Sequence, residues 1–327
     1  MTISRRALFT LDFDRPPASI DRLVRVHRTA MACRVEVALH ECDARHVAAA
    51  RDALDEADRV EALLTVFRES SELSRVNREG AAGAAGVDPE VFGLLQRCAQ
   101  LYLDTDGAFD ITSSPLSRCW GLLTREGRLP STGEIEAARA CIGMLHVDVD
   151  ATTRSVRFGR DGMALNLNAF GKGYALDCMA ATLRARGTDR ALLSAGGSSV
   201  LAMGGAWPVD IRSPLSSRPR LARVRLAGAA LGTSGAGEQF VIADGVRYGH
   251  VIDPRSGMPA TGVLSASAVA ADAATADALS TAFLIGGPAL ARCYCESHRG
   301  TMALLALDGC DFGPLVFGAH PGATVEN

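Results

Sequence analysis

The segment NLNAFGKGYALD (166–177) sets one lysine, Lys172, between Gly171 and Gly173, where an apolar strand gives way to a helix. Glycines at such a turn permit close backbone approach and unusual dihedrals. A helix starting just after them offers free amides to an anion, and a lysine adds a point charge suited to phosphate or pyrophosphate. A solvated loop lysine fits this stretch equally well, so both readings stand at this point. Two common phosphate motifs are excluded. A Walker A loop requires glycine and Ser/Thr where this chain has Asn166 and Gly173. The dinucleotide pattern G-x-G-x-x-G fails at Leu176, and TSGAGEQF has no third glycine.

Other stretches share this character. DTDGAFDITSSPL (104–116) pairs carboxylates with a glycine turn, and SAGGSSV (194–200) ends an apolar strand on a glycine pair. GTSGAGEQF (232–240) is a small polar loop, and GHVIDPRSGMPA (249–260) holds His250 and Asp253 in a Pro/Gly-rich turn. ATADALSTAF (274–283) puts Asp277 and Thr281 four residues apart, on one helical face. Each has a structural alternative when taken singly: a lone histidine packs, and an Asp/Thr pair caps.

The elements that position these residues follow from periodicity. Residues 22–40 alternate polar and apolar through CRVEVAL and predict a strand. Val47, Ala50, Leu54, Ala57, Val60, Leu64 and Phe67 form a helical stripe. REGAAGAAGV reads as a small-residue loop, and Asp88-Pro89 opens a second helix. Ser131 and Glu134 form a capping box for a third helix, which stops at Gly143. Short strands follow from 146 to 168, then a helix that ends near Gly187. RALLS, SSVLAMG, WPVDIR and LARVRL are further strands, with a hairpin about Asp244-Gly245. A helix over 273–299, interrupted at Gly286-Gly287-Pro288, precedes the strand TMALLAL. Helices dominate the first half and strands the second, which predicts an α+β fold. No composition break demands two independent domains.

With 48% hydrophobic and 22% charged residues and a net charge of −3, the chain has the make-up of a globular protein without electrostatic reach for nucleic acid. No apolar run reaches the length of a membrane span. Arg5 and Arg6 are followed by Asp12, Asp14 and Arg15 where an export signal needs apolar residues, so a cytoplasmic location is expected. Nine scattered cysteines without a C-x-x-C pair, Cys293 and Cys295 included, predict mostly small buried hydrophobes in a reducing compartment.

Taken together and in this order, the stretches resemble the FAD:protein FMN transferases of the ApbE family, from about residue 28 to 310. ALDEADRVEALLTVFRESSELSRVN is similar to the family's first helix and its S-x-L-x-x-x-N turn. GAFDITSSPLSRCWG, NLNAFGKGYALD, GTSGAGEQF, GHVIDPRSGMPA and ADALSTA resemble its later motifs. The resemblance implies an α+β fold with mixed or antiparallel sheets packed with helices, as one domain over 21–327 after an N-terminal extension (1–20). It implies an enzyme that cleaves the pyrophosphate of FAD and attaches FMN to a Thr or Ser of another protein. AMP leaves, and Mg2+ is required. By matching position the metal falls to the Ala169 carbonyl, Asp277 and Thr281. The flavin nucleotide falls to Met31, Phe67, Ala108, Phe109, Asp110, Asn166, Lys172 and His250. Catalytic roles fall to Asp277 and His250, the latter contacting phosphate or moving the acceptor's proton.

The chain departs from the family pattern at Asn166 (usually aspartate), at Ser198 in GGS, at the MAC of Met31–Cys33, and at Ser280, where some members carry a second carboxylate. The implied partner is an acceptor flavoprotein with a D-x-x-[ST]-G-A-[ST]-like motif. LGTSGAG (231–237) lacks its aspartate and final hydroxyl, so the chain is not its own acceptor. Two other readings use the same site: an FAD pyrophosphatase, with water replacing the acceptor, and a non-catalytic FAD-binding protein.

Overall fold

The computed structural model describes residues 22–123, 127–215, 219–237, 240–243, 246–310 and 313–326. The expected 1–20 extension and the Asp244-Gly245 turn lie outside them. The described residues divide into two compact units. One is built from Ala62–Ala169 and Ala236–Thr261, the other from residues 22–61, Phe170–Gly235 and 262–326.

The second unit is organised on an eight-stranded sheet. In spatial order its strands are Leu23–Ala30, Cys33–His40, Ala191–Ala195, Ser199–Met203, Ala230–Gly235, Val263–Ala270, Met302–Leu307 and Leu315–Gly318. Every neighbouring pair is antiparallel. Alternation along each strand gives the sheet two apolar faces. Val35, Val37, Leu39, Leu193 and Leu201 pack against Ala50, Ala53 and Leu54 of helix Val47–Leu64, Leu176 and Met179 of helix Asn168–Ala185, and Ala273 and Ala276 of helix Ala273–Ser297. Leu192, Val200, Leu231, Val269 and Leu304 face the other way, onto the sheet of Trp207–Arg212, Arg220–Leu226 and Ala323–Glu326. Helices packed on antiparallel sheets are the α+β class expected from the sequence.

The first unit holds the helices Glu72–Ala82, Pro89–Asp104, Ser114–Cys119 and Thr132–Arg139 with two small antiparallel sheets. Asp88 caps the second of these by accepting from the Glu90 and Val91 amides, and Ser131 and Glu134 form the predicted capping box. Each such cap contributes on the order of 1 kcal/mol.

Four expectations are corrected. Residues 22–40 are a hairpin rather than one strand, because Met31 and Ala32 turn the chain with φ of 52° and 57°. That turn geometry normally advertises itself as Asn-Gly, and Met-Ala carries no such signal. The expected loop REGAAGAAGV is helical as far as Ala82. Ser71 caps that helix by accepting from the Ser74 amide. Helix Val47–Leu64 ends before Phe67, which is 73% exposed rather than part of the buried stripe. The helix of the glycine-flanked lysine starts at Asn168, so Gly171 and Gly173 lie inside its first turns. The interruption at Gly286-Gly287-Pro288 is present as a kink, with Gly287 at φ 65°.

Two glycines explain how closely the second unit's elements approach. A Cβ on Gly173 would lie 2.0 Å from the Ala273 carbonyl oxygen, and one on Gly232 would lie 2.5 Å from that of Ala276. Helix Asn168–Ala185 and strand Ala230–Gly235 therefore meet the first turns of helix Ala273–Ser297 backbone to backbone. Asp177 fixes the meeting by accepting from the Ala273 and Ala274 amides at 2.8 and 3.0 Å. Asp272 caps the same helix through the Thr275 amide.

Left-handed backbone at Ala32 costs energy that glycine avoids. Ala32→Gly is expected to raise the stability of the protein by about 0.5–1 kcal/mol, read as a higher urea midpoint at unchanged slope. A lower midpoint would show that the Ala32 methyl contributes more through packing than the turn loses through strain.

Candidate active site

The candidate site in the second unit is organised around Asp277, on the second turn of helix Ala273–Ser297 and only 6% exposed. Its Oδ2 accepts from the Gly173 amide at 2.8 Å and from the Ser199 hydroxyl at 2.9 Å. Oδ1 accepts no hydrogen bond among the described residues. Burial pushes the Asp277 carboxyl up to about 6, while the charge of Lys172 and the two donors pull in the opposite direction. A carboxylate so deeply placed, with one oxygen doubly bonded and the other open, is short of positive charge.

The regular helical pattern directs the Gly173 N–H to the Ala169 carbonyl. Here that N–H donates to Asp277 instead of serving the helix alone. Thr281 lies one turn beyond Asp277, with Oγ1 3.1 Å from Ser234 Oγ and 3.4 Å from the Asp277 carbonyl. The Asp277 Oδ1 and the Thr281 hydroxyl are both oxygen donors, the kind a hard divalent cation takes; the Ala169 carbonyl belongs to the first unit. Among the described residues no group of three or more His, Cys, Asp or Glu side chains is placed to hold a metal. The expected ligand set contains only one such side chain, so it is of a different kind.

Lys172 reaches out from helix Asn168–Ala185 and donates to Ser198 Oγ in the turn after strand Ala191–Ala195. Ser280, at the position where a second acidic ligand would stand, turns back onto its own helix and donates to the Asp277 carbonyl at 2.8 Å. It also lies 2.8 Å from Ser234 Oγ. Ser280 thus belongs to a hydroxyl cluster that holds Thr281. The Met31 amide donates to Glu61 at 2.7 Å, which anchors the strained turn. Cys33 is buried behind that turn, where burial pushes its thiol up and the charges of Lys172, Glu61 and Asp277 act on it.

The remaining expected residues belong to the first unit. Ala108, Phe109 and Asp110 are buried, and Asp110 Oδ1 accepts from both the amide and the hydroxyl of Thr112 at 2.7 and 2.6 Å. Burial raises the Asp110 carboxyl, and the two Thr112 bonds oppose this. The Asn166 amide donates to the Ile111 carbonyl at 2.7 Å, tying that residue to the Ala108–Asp110 run. Its side chain accepts from the Asn168 amide at 3.1 Å, at the start of the lysine helix. A helix start is a standard place for a side-chain acceptor, and asparagine serves it without a charge. His250 is half-buried just after strand Val246–Gly249. Structure therefore brings together Lys172, Asp277 and Thr281 in one unit, and Asn166 with Ala108–Asp110 in the other.

Sequence reasoning missed Ser199, the Gly173 amide and the support of Asp177. SAGGSSV and the glycine-flanked lysine were visible, but residue type alone does not distinguish Ser198 from Ser199 or show that an amide faces a carboxylate. The cysteines are also less uniformly buried than expected: Cys33, Cys98, Cys119 and Cys295 are buried, while Cys42, Cys293 and Cys310 are exposed.

A model of the ApbE family matches residues 31–305. The chain belongs to the ApbE family. It is homologous to the FAD:protein FMN transferases, an enzyme class, and is 31% identical to the one from Klebsiella pneumoniae over 70% of this chain and 72% of that protein. It is 29% identical to that of Escherichia coli K12 over 70% of this chain and 68% of the relative. The crystal structure of the ApbE protein of Thermotoga maritima superposes with a TM-score of 0.82 at 27% identity, covering 91% of this chain and 97% of the other. The apo flavinyl transferase ApbE of Pseudomonas stutzeri gives 0.78 at 26% identity, covering 92% and 96%. This ApbE-family chain thus has the fold of its relatives along nearly all of its length.

The raised Asp277 carboxyl has a definite sign. Between its ordinary value of 3.8 and about 6 the native state holds more protons than the unfolded chain, so stability falls as pH rises through that window. A displacement of this size corresponds to about 3 kcal/mol at most. In chelator-treated protein Asp277→Asn, whose side-chain oxygen can still accept from Gly173 and Ser199, is expected to gain on the wild type by about 2–3 kcal/mol between pH 4 and 7. Urea denaturation at the two pH values measures this. A wild type that gains on the variant as pH rises would show that ionised Asp277 is stabilising.

Proposed function

We propose that this chain is a magnesium-dependent FAD:protein FMN transferase, moving FMN from FAD to a Thr or Ser hydroxyl of an acceptor protein and releasing AMP. The observation that carries the reading is Asp277: a buried carboxylate with Oδ2 held twice and Oδ1 open, one helical turn from Thr281. Family membership supplies the flavin chemistry, since the relatives are named FAD:protein FMN transferases.

Asp277, Thr281 and the Ala169 carbonyl would hold Mg2+, which when bound neutralises charge on the diphosphate and makes the phosphorus more electrophilic. Lys172 supplies a second positive charge to the phosphate oxygens. Met31, Phe67 and the Ala108–Asp110 run are assigned to the flavin nucleotide. The exposed ring of Phe67 and the Met31 side chain offer it apolar surface, and Asp110 accepts hydrogen bonds. Asn166 orients the start of the lysine helix through the Asn168 amide. In the reaction the acceptor oxygen bonds to the FMN phosphorus as the bond from that phosphorus to the bridging oxygen breaks. AMP departs with the electron pair, and His250 takes the hydroxyl proton, a role suited to an imidazole near neutral pH. The acceptor is a separate flavoprotein bearing a D-x-x-[ST]-G-A-[ST]-like segment.

Purified protein mixed with FAD, Mg2+ and a peptide carrying that segment is expected to release AMP and add the mass of FMN to the peptide. Asp277→Ala is expected to lower both by at least about a hundredfold, and Thr281→Ala by roughly tenfold. Release of AMP without peptide modification, for any acceptor offered, would instead establish a pyrophosphatase. FAD binding without AMP release would overturn the transferase reading.

A further inference from the structure

Of the 34 lysine and arginine residues in this chain, 33 are arginine, and the single lysine is Lys172. Ion pairs of the described residues from Arg25–Glu36 on the sheet edge to Arg225–Glu326 are made by arginine. One position alone keeps an ammonium in a chain that otherwise uses guanidinium. The two cations differ physically: guanidinium is a planar fork that seeks a carboxylate two bonds at a time, and ammonium is a compact point charge with rotatable donors.

The surroundings of Lys172 match that difference. Its described hydrogen bond is to a neutral hydroxyl, Ser198 Oγ, and among the described residues it makes no direct ion pair. The Asp277 carboxylate acts on it only through space. Ser198 itself is firmly placed. Gly196 and Gly197 turn the chain into it with φ of 61° and 72°. The Ser198 amide donates to the Ala195 carbonyl at 3.3 Å, and its carbonyl accepts from the Thr233 amide at 2.7 Å. A rigid turn thus presents one uncharged acceptor to the only lysine ammonium in the chain.

We infer that Ser198 is a positioning residue: it holds the Lys172 ammonium in place without neutralising it, and thereby sets the affinity of this site for an oxyanion of the diphosphate type. The inference rests on the reading that Lys172 faces the diphosphate. A carboxylate at 198 would fix the ammonium equally well but cancel its charge. An alanine would leave the charge but release the side chain.

Because the chain has a single lysine, reductive methylation with isotopically labelled formaldehyde gives one dimethyl-lysine NMR signal, distinct from that of the terminal amine. Inorganic pyrophosphate is the probe, titrated into the methylated full-length protein. In the wild type a dispersed Lys172 signal is expected, shifting saturably with pyrophosphate. Ser198→Thr is expected to preserve both the dispersed signal and the affinity. Ser198→Ala is expected to collapse the signal towards that of a freely rotating lysine. Ser198→Asp is expected to keep it dispersed while weakening pyrophosphate binding by roughly tenfold or more, the effect of placing a like charge beside the anion. Wild-type signals and affinities in both Ser198→Ala and Ser198→Asp would overturn the positioning role. A wild-type signal indifferent to pyrophosphate would overturn the oxyanion assignment, whether or not FMN transfer is observed. In steady-state assays of FMN transfer, Ser198→Asp is expected to raise KM for FAD more than it lowers kcat.

Discussion

The burial of one carboxylate governs how the second unit is built. Asp277 lies too deep to be solvated by water, so its oxygens must find donors in the protein or a cation. One oxygen takes the Gly173 amide from helix Asn168–Ala185 and the Ser199 hydroxyl from the first residue of a central strand. Three elements far apart in sequence are thereby fixed at one point. The glycines follow from the same demand, because a side chain at 173 or 232 would drive the helix Ala273–Ser297 away from the carboxylate's partners. Asp177 and Asp272 then hold the start of that helix, and their negative charge suits its amino end.

This arrangement separates two jobs that the sequence presents as one. A lysine between glycines before a helix suggests that the helix amides meet the anion. The helix instead begins at Asn168, and one of the amides beside the lysine is turned inward to Asp277. Under the proposed function, anion binding at this point is assigned to the ammonium rather than to a helix terminus. Gly173 serves packing, since a side chain there would meet the Ala273 carbonyl.

Legibility differed by the range of the interaction involved. Caps at Asp88 and Ser131, the kink at Gly287-Pro288 and the alternation of the sheet strands are local, and they are readable from neighbouring residue types. The hairpin at Met31-Ala32 is also local, but its left-handed turn is imposed by the strands and by the Glu61 anchor rather than by turn-forming residues. Contacts such as Asp277 with Ser199 join residues 78 positions apart, and no periodicity encodes which serine of SAGGSSV points to which carboxylate. Motif order pointed to the right family, while the roles of individual hydroxyls appeared only with the backbone in place.

Departures from the family pattern also acquire physical meaning there. Ser280 does not leave a hole where an acid might stand, because its hydroxyl bonds the carbonyl of Asp277 and shares Ser234 with Thr281. Asn166 keeps the acceptor that starts the lysine helix and drops only the charge. Ser198 keeps a partner for Lys172, again without a charge. All three are neutral hydrogen-bonding residues where the family pattern has, or can have, a carboxylate. Within the second unit, serine at 198 and 280 in place of a carboxylate leaves less negative charge near Asp277, a change that weakens attraction for a cation and repulsion of an anion alike. Asp277 is then the one acidic side chain in the expected metal set, with Oδ1 open among the described residues.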